Sequence, residues 1–253
     1  MFDKIKKLIK KEGIMKKLTL ISLVLSASVV YASCPSPKEL QKELEKITRQ
    51  KFNVVEISPI KGLELCQAVI KNGLRPLVIY TDENLNYIIS GNLIDIKRGK
   101  NLTAEITKKY QKVSKEVLKE LENLVDLRYG KGEKYVYFIS DPDCPYCRRL
   151  EPILKEWAKE NHVEIRHIFF PLPMHPKAKD KAIDIICTGK GYEYAHKDFE
   201  PQNLCDKGRK KVEKNIKYLS ELGVSGTPTL IGMNGQVLIG LPGSKNDLNE
   251  LIK

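Results

Sequence analysis

The chain has little of what builds metal centres, membrane anchors or nucleic-acid surfaces. Its four histidines, His162, His167, His175 and His196, show no ligand spacing with the cysteine pairs, so no metal site is read. The apolar run from Leu18 to Val30 reaches only thirteen residues and is thinned by Ser22, Ser26 and Ser28, whereas a membrane-spanning helix needs about 20. That excludes a helical anchor. The formal net charge is +12, yet the basic residues alternate with acids along stretches such as Lys115–Glu122, the pattern of a solvated face. A nucleic-acid-binding stripe is therefore not expected.

What is present begins with an address. Lys16 and Lys17 follow Met15, the apolar run comes next, and Val30-Tyr31-Ala32 places small residues where a signal peptidase inspects the chain. Residues 1–32 read as an export signal, and residues 1–14 as an over-called start or an extended basic n-region. Cleavage after Ala32 leaves 221 residues with 37 basic against 30 acidic side chains, a net charge of +7. The expected location is the periplasm, an oxidising compartment in which six cysteines form a disulfide inventory. Six cysteines allow 15 connectivities. Adjacency suggests Cys144 with Cys147 and Cys187 with Cys205, which leaves Cys34 and Cys66. Cys34 either pairs with Cys66 or is the lipid-modified first residue of a lipoprotein, a reading opposed by Tyr31 at the position where a lipobox usually has leucine.

Along the chain, Ser36–Gln50 reads as a helix with Leu40, Leu44 and Ile47 on one face. Asn53–Ile57 and Gly62–Ile70 are short strand candidates, and Leu77–Tyr80 and Tyr87–Ile96 form a hairpin around Thr81-Asp82-Glu83-Asn84. Together they make an N-terminal α+β domain over residues 33–102. From Thr103 to Leu127 the apolar residues Ile106, Tyr110, Val113, Val117, Leu121 and Leu124 predict one long helix, a linker over residues 103–128 that ends at the glycine-bearing hinge Tyr129–Gly132. A second domain, residues 129–253, alternates strands Lys134–Ser140, Val163–Pro171, Thr229–Met233 and Gln236–Leu241 with helices at Arg148–Glu160 and Asn246–Lys253. A largely helical insertion fills about 174–224. Asn234-Gly235 joins the last two strands, a strong hairpin signal.

Cys144-Pro145-Tyr146-Cys147 lies between the strand Lys134–Ser140 and the following helix. A C-x-x-C is also half of a four-cysteine zinc site or an inert staple. Its context favours redox chemistry: a sulfur at a helix N-terminus meets free N–H groups and the positive dipole end, which stabilise thiolate. Cys144 is then the nucleophile and Cys147 its resolving partner. Asp141 and Asp143 oppose thiolate formation, Arg148 and Arg149 favour it, and the helix terminus should win because the carboxylates can turn to water.

The motif, Pro152, and Thr227-Pro228 ahead of a terminal hairpin together resemble a thioredoxin fold. With the N-terminal unit, the linker and the export signal, the whole mature chain resembles the bacterial periplasmic disulfide isomerases of the DsbC/DsbG type. Leu77–Asp82, Ile88–Gly91 and Gly223–Pro228 are the further segments that match. The resemblance implies an α+β fold class: a small cystatin-like dimerisation domain, a linker helix, and a thioredoxin-like catalytic domain. It implies a homodimer acting on misoxidised exported proteins, kept reduced by a membrane thiol reductase of the DsbD type, with no cofactor. It also implies a cis bond at Thr227-Pro228, substrate binding by Thr227, Pro228 and Tyr146, and a structural Cys187–Cys205 disulfide. Thioredoxins bury an acidic proton relay six positions before the first cysteine, but Phe138 stands there. Sulfenic-acid reduction by a DsbG-like enzyme and a holdase chaperone with secondary thiols are the alternative functions.

Overall fold

The computed structural model describes residues 33–253. The proposed export segment, residues 1–32, lies outside the described residues.

Helix α1 (Pro37–Thr48) starts at a reciprocal capping box: the Ser36 hydroxyl accepts from the Glu39 N–H, and the Glu39 carboxylate accepts from the Ser36 N–H. It buries Leu40 and Leu44 against a four-stranded antiparallel sheet of β1 (Val54–Pro59), β2 (Cys66–Ile70), β3 (Leu77–Thr81) and β4 (Ile88–Ser90), in that order. Ile47, one turn on, is exposed. The β3–β4 turn is held by the Asp82 carboxylate, which accepts from the N–H groups of Asn84 and Tyr87. The run Tyr87–Ile96 is not one strand. Its first part is β4, and beyond Gly91 the chain leaves the sheet to form β5 (Ile94–Asp95), paired with β6 (Lys100–Asn101).

The single long helix expected over Thr103–Leu127 is also divided, into α2 (Leu102–Tyr110) and α3 (Lys115–Glu122). Neither glycine nor proline breaks it. The cause is tertiary: Gln111–Val113 lies along the edge of the terminal hairpin, where the Val237 N–H donates to the Gln111 carbonyl and the Val113 N–H to that of Gly235. Capping an open strand edge gives these backbone groups partners that a helix would otherwise supply. Apolar spacing persists through the break because Val113, Val117, Leu121 and Leu124 all face one core.

That core belongs to a five-stranded sheet in the order β11-β10-β8-β9-β7, formed by β7 (Leu127–Tyr129), β8 (Lys134–Ser140), β9 (Val163–Phe169), β10 (Thr229–Gly232) and β11 (Val237–Ile239). Strands β8 and β9 are parallel and the other pairs antiparallel. Strand β8 is aromatic or aliphatic from Tyr135 to Ile139 because both its faces are covered there. Val136 and Phe138 meet helix α4 (Pro145–Glu160) and the C-terminal Leu248 and Leu251. Tyr137 and Ile139 meet α3 and helix α6 (Asp206–Glu221). Helix α5 (Ala178–Thr188), a 3-10 turn at Tyr192–Tyr194 and α6 make up the insertion, and α7 (Lys245–Asn249) with a 3-10 turn at Glu250–Ile252 follows β11. Strand β7, which pairs with β9, occupies the stretch where the apolar spacing and Gly130 predict a helix end and hinge.

At the hairpin tip Gly235 has φ +81°, and any Cβ there would strike the Val113 carbonyl. Leu74, from the β2–β3 turn, is buried in the larger core beside Val224. Two disulfides are formed, Cys34–Cys66 and Cys187–Cys205. Cys144 and Cys147 are free thiols.

Candidate redox site

Strand β8 ends at Ser140 and α4 begins at Pro145, so the C-x-x-C sits on the connection between them. Cys144 is the N-cap residue, with φ −69° and ψ 118°, and Pro145 follows at the first helical position, where a missing N–H costs nothing. Cys144 is 3% exposed and Cys147 is fully buried. The hydrogen bond from the Cys147 thiol does most to lower the Cys144 thiol, to about 5, against the opposing effect of burial. The Thr227 side chain and the backbone N–H groups of Cys147 and Tyr146 lower it further. The helix terminus contributes in the expected direction, but behind both the neighbouring thiol and Thr227. Burial drives Cys147 the opposite way, far above a free thiol, and the charge-seeking hydrogen bond to Cys144 adds to this. One sulfur is poised as thiolate and the other is held as thiol, the division of labour that thiol–disulfide exchange needs.

The peptide bond Thr227-Pro228 is cis. It brings the Thr227 carbonyl oxygen to 3.4 Å from Cys144 Sγ. The Thr227 hydroxyl is buried. Tyr146 is 55% exposed beside the motif. Cys144, Cys147, Tyr146, Thr227 and Pro228 therefore share one site. Cys187 and Cys205 lie in the insertion, joining the C-terminal end of α5 to the N-cap of α6, and Cys34 and Cys66 lie in the N-terminal unit.

The flanking carboxylates do not turn to water. Asp141 is fully buried and accepts from the N–H groups of Asp143 (2.7 Å) and Leu172 (2.6 Å), with His175 Nδ1 at 2.9 Å. It pins the active loop to the connector after β9. Asp143 is 2.7 Å from the ammonium of Lys181, which also meets Asp198 at 2.8 Å, and Arg148 stands 3.4 Å away. Its charge is balanced before it reaches Cys144. Nothing local to the motif signals Lys181, which lies 38 residues from Asp143 in a charge-rich insertion helix.

Among the described residues no cluster of three or more His, Cys, Asp or Glu is arranged to hold a metal ion, and no helix is long and apolar enough to cross a membrane. A helix-capped thiolate, a buried thiol partner and a cis-proline loop over them define a thioredoxin-type redox centre. The chain belongs to the thioredoxin-like domain family, whose model matches residues 121–253. Residues 31–104 match the disulfide bond isomerase protein N-terminal domain, and the two matches together place the chain in the DsbC/DsbG family.

Relatives include a probable thiol:disulfide interchange protein DsbC of Bordetella avium, 29% identical over 60% of this chain and 54% of its own length. The DsbG of Pseudomonas aeruginosa is 22% identical over 63% of this chain and 67% of its own. The DsbC of Salmonella typhimurium is 24% identical over 91% and 93% respectively. In the Bordetella avium match the chain spans about half the relative's length. Among solved structures, a disulfide interchange protein from Neisseria gonorrhoeae matches with TM-score 0.41 and 27% identity, covering 49% of this chain and 91% of that one.

Proposed function

We propose that this protein is a thiol-disulfide oxidoreductase that reduces or isomerises incorrect disulfides in exported proteins. The observation that carries this reading is the opposed pair of thiols: Cys144 lowered to about 5, and Cys147 held protonated beside it. Cys144 attacks a substrate disulfide, one substrate sulfur leaves as a thiolate, and the mixed disulfide resolves either through another substrate thiol or through Cys147. The first route isomerises and the second reduces. Thr227 offers a backbone edge beside the thiolate for an extended substrate segment, and Tyr146 an apolar contact.

The chain works as a homodimer in the periplasm, with a membrane thiol reductase of the DsbD type as its electron source. An apolar edge supports the dimer. Strand β4 closes the four-stranded sheet with all its residues exposed, and Tyr87, Ile88, Ile89, Ile94 and Ile96 present large apolar side chains beside it. Linkage of the dimerisation unit to the redox domain falls to residues 103–128. A second reading, reduction of sulfenic acids, is favoured by the Pro-Tyr dipeptide, which occurs in the DsbG branch.

Recovery of activity from ribonuclease with scrambled disulfides, with and without reductant, tests the proposal. Residues 33–253 should restore activity, and Cys144→Ser should abolish this. A variant that suppresses aggregation with unchanged refolding yields would identify a holdase instead.

A further inference from the structure

The N-terminal unit meets the redox domain a second time, away from the linker. Strands β2 and β3 are in register from Ile70 and Leu77 onward, so residues 71–76 form the turn between them. In that turn Gly73 lies backbone to backbone against Gly223. A Cβ added to Gly223 would fall 2.5 Å from the Gly73 Cα, and one added to Gly73 would fall 3.2 Å from the Gly223 Cα. Two backbones approach this closely only where neither carries a side chain. Leu74, the next residue, is 3% exposed and shares a core with Leu219, Val224 and Val237 of the redox domain, not with the residues that α1 buries on the first sheet. Lys71 extends the contact, its ammonium donating to the Lys112 carbonyl at 2.9 Å.

Gly223 and Val224 open the loop that carries Thr227 and Pro228, and this loop hangs between two anchors. At its far end the Pro228 carbonyl accepts from the Gly240 N–H at 2.8 Å, and the Thr229 hydroxyl donates to the Gly226 carbonyl at 2.9 Å. At its near end the Gly223 and Val224 N–H groups donate to the Ser220 and Leu219 carbonyls of α6, at 3.0 and 2.9 Å, and Val224 is buried in the same core as Leu74. Between the anchors Ser225 is exposed, and a Cβ on Gly226 would find no atom within 4 Å among the described residues. With so little packed against its middle, the loop takes its position from its ends. One of those ends rests on the N-terminal unit.

We infer that Leu74 is a positioning residue for the redox site: with Gly73 it seats Gly223 and Val224 so that the Thr227 carbonyl lies 3.4 Å from Cys144 Sγ. The inference deepens the thiol–disulfide reading proposed above and rests on it. Buried side chains are close-packed, so a displacement at one is passed to its neighbours. A site keeps its working geometry only when the layer behind it is fixed. The N-terminal unit thus carries two working surfaces: the β4 edge, proposed above to meet a second copy, and the β2–β3 turn, which supports the redox loop of its own chain. Loss of the docked turn loosens Thr227 and takes away both the backbone edge offered to substrate and the side-chain contact that favours the Cys144 thiolate.

The charged and titratable groups on and behind the active loop are Cys147 and Arg148 of α4, Asp141 and Asp143 of the loop, His175 after β9, and Lys181 of α5. None belongs to the β2–β3 turn. A substitution of Leu74 therefore reaches Cys144 through position and not through charge.

The test measures the pH midpoint of Cys144 in the reduced protein, residues 33–253, by the rate of iodoacetamide alkylation. In Leu74→Ala the midpoint should rise from about 5 by about half a unit to one unit, the scale of one lost neutral hydrogen bond. Thr227→Val, which removes the hydroxyl and keeps the backbone, should give a rise of the same scale. Leu74→Ala added to Thr227→Val should give no further rise, because both act through one contact. Leu74→Met, which keeps the volume, should leave the midpoint near its wild-type value. Leu44→Ala opens a comparable cavity in the core of the N-terminal unit itself and should lower Tm without moving the midpoint. If Leu74→Ala does not fold, Leu74→Val takes its place, with a smaller rise that also vanishes in the Thr227→Val background. An unmoved midpoint in the folded Leu74 variant, an equal rise in Leu44→Ala, or rises that add to that of Thr227→Val would overturn the inference. Failure of the isomerase reading is distinguishable, because the midpoints would then shift as described while the wild-type protein left scrambled ribonuclease inactive.

Discussion

Replacing Cys147 with alanine tests why Cys144 is acidic. The largest contribution to its lowered value is the hydrogen bond from the Cys147 thiol, followed after burial by the Thr227 side chain and the backbone N–H groups of the helix terminus. A hydrogen bond to a charged acceptor contributes about 1.5–3 kcal/mol. At about 1.36 kcal/mol per pH unit, its loss should raise the midpoint by about 1–2 units, from about 5 to about 6–7. The backbone donors remain in the variant, so the value should stay below the free thiol's, about 8.5. At pH 7 the thiolate fraction should fall from about 99% to about 50–90%. Ultraviolet thiolate absorbance and the rate of iodoacetamide alkylation against pH both read this quantity. A wild-type midpoint at or above about 8.5, or an unmoved midpoint in Cys147→Ala, would refute the reasoning. The same depression has a sign for stability. A group whose folded value lies below its unfolded value stabilises above the unfolded pKa and loses that contribution as pH falls. The reduced protein should therefore weaken between about pH 8.5 and pH 5.

Four further outcomes follow from the same structure. A strongly stabilised thiolate favours the dithiol form, so equilibration with glutathione should place the couple in the oxidising half of the range between about −270 and −120 mV; a value below that range would recast the protein as a dedicated reductant. Ile88→Asp combined with Ile94→Asp should weaken the dimer by about 10²- to 10⁴-fold, as expected for two isoleucines each stabilised by about 1.5–3 kcal/mol on burial, and light scattering reads this directly. Removing the Cys187–Cys205 disulfide, which closes a sequence separation of 18 residues, should cost about 3 kcal/mol and lower Tm by several degrees; a shift below about 1 °C would contradict this. Asp126 is buried, and desolvation raises its carboxyl to about 7 despite hydrogen bonds from the Phe169 N–H and Asn215. Because the folded value exceeds 3.8, stability should fall as pH rises from about 4 to 7, by on the order of 4 kcal/mol; Asp126→Asn should flatten that slope in denaturant titrations at pH 4 and pH 8.

Local chemistry made much of this protein legible. Cys144 and Cys147 between a strand and a helix, Pro145 at the first helical position, Ser36 with Glu39, Asn234-Gly235 at a hairpin tip and the uninterrupted apolar run of β8 each act within a few residues of themselves. Their signals therefore survive in the linear order. What only the tertiary structure decided depends on groups brought together across the chain. The break at Gln111–Val113 arises because the hairpin edge at Gly235–Val237 offers its hydrogen bonds, while the apolar spacing that predicts one helix is left intact. The balancing of Asp143 by Lys181 binds the motif to an insertion whose sequence predicts only helix, and the burial of Asp141 against Leu172 binds it to the connector after β9. Helices, turns and much of the acidity of Cys144 are set by neighbours in sequence; the burial that holds Cys147 as a thiol is set by neighbours in space.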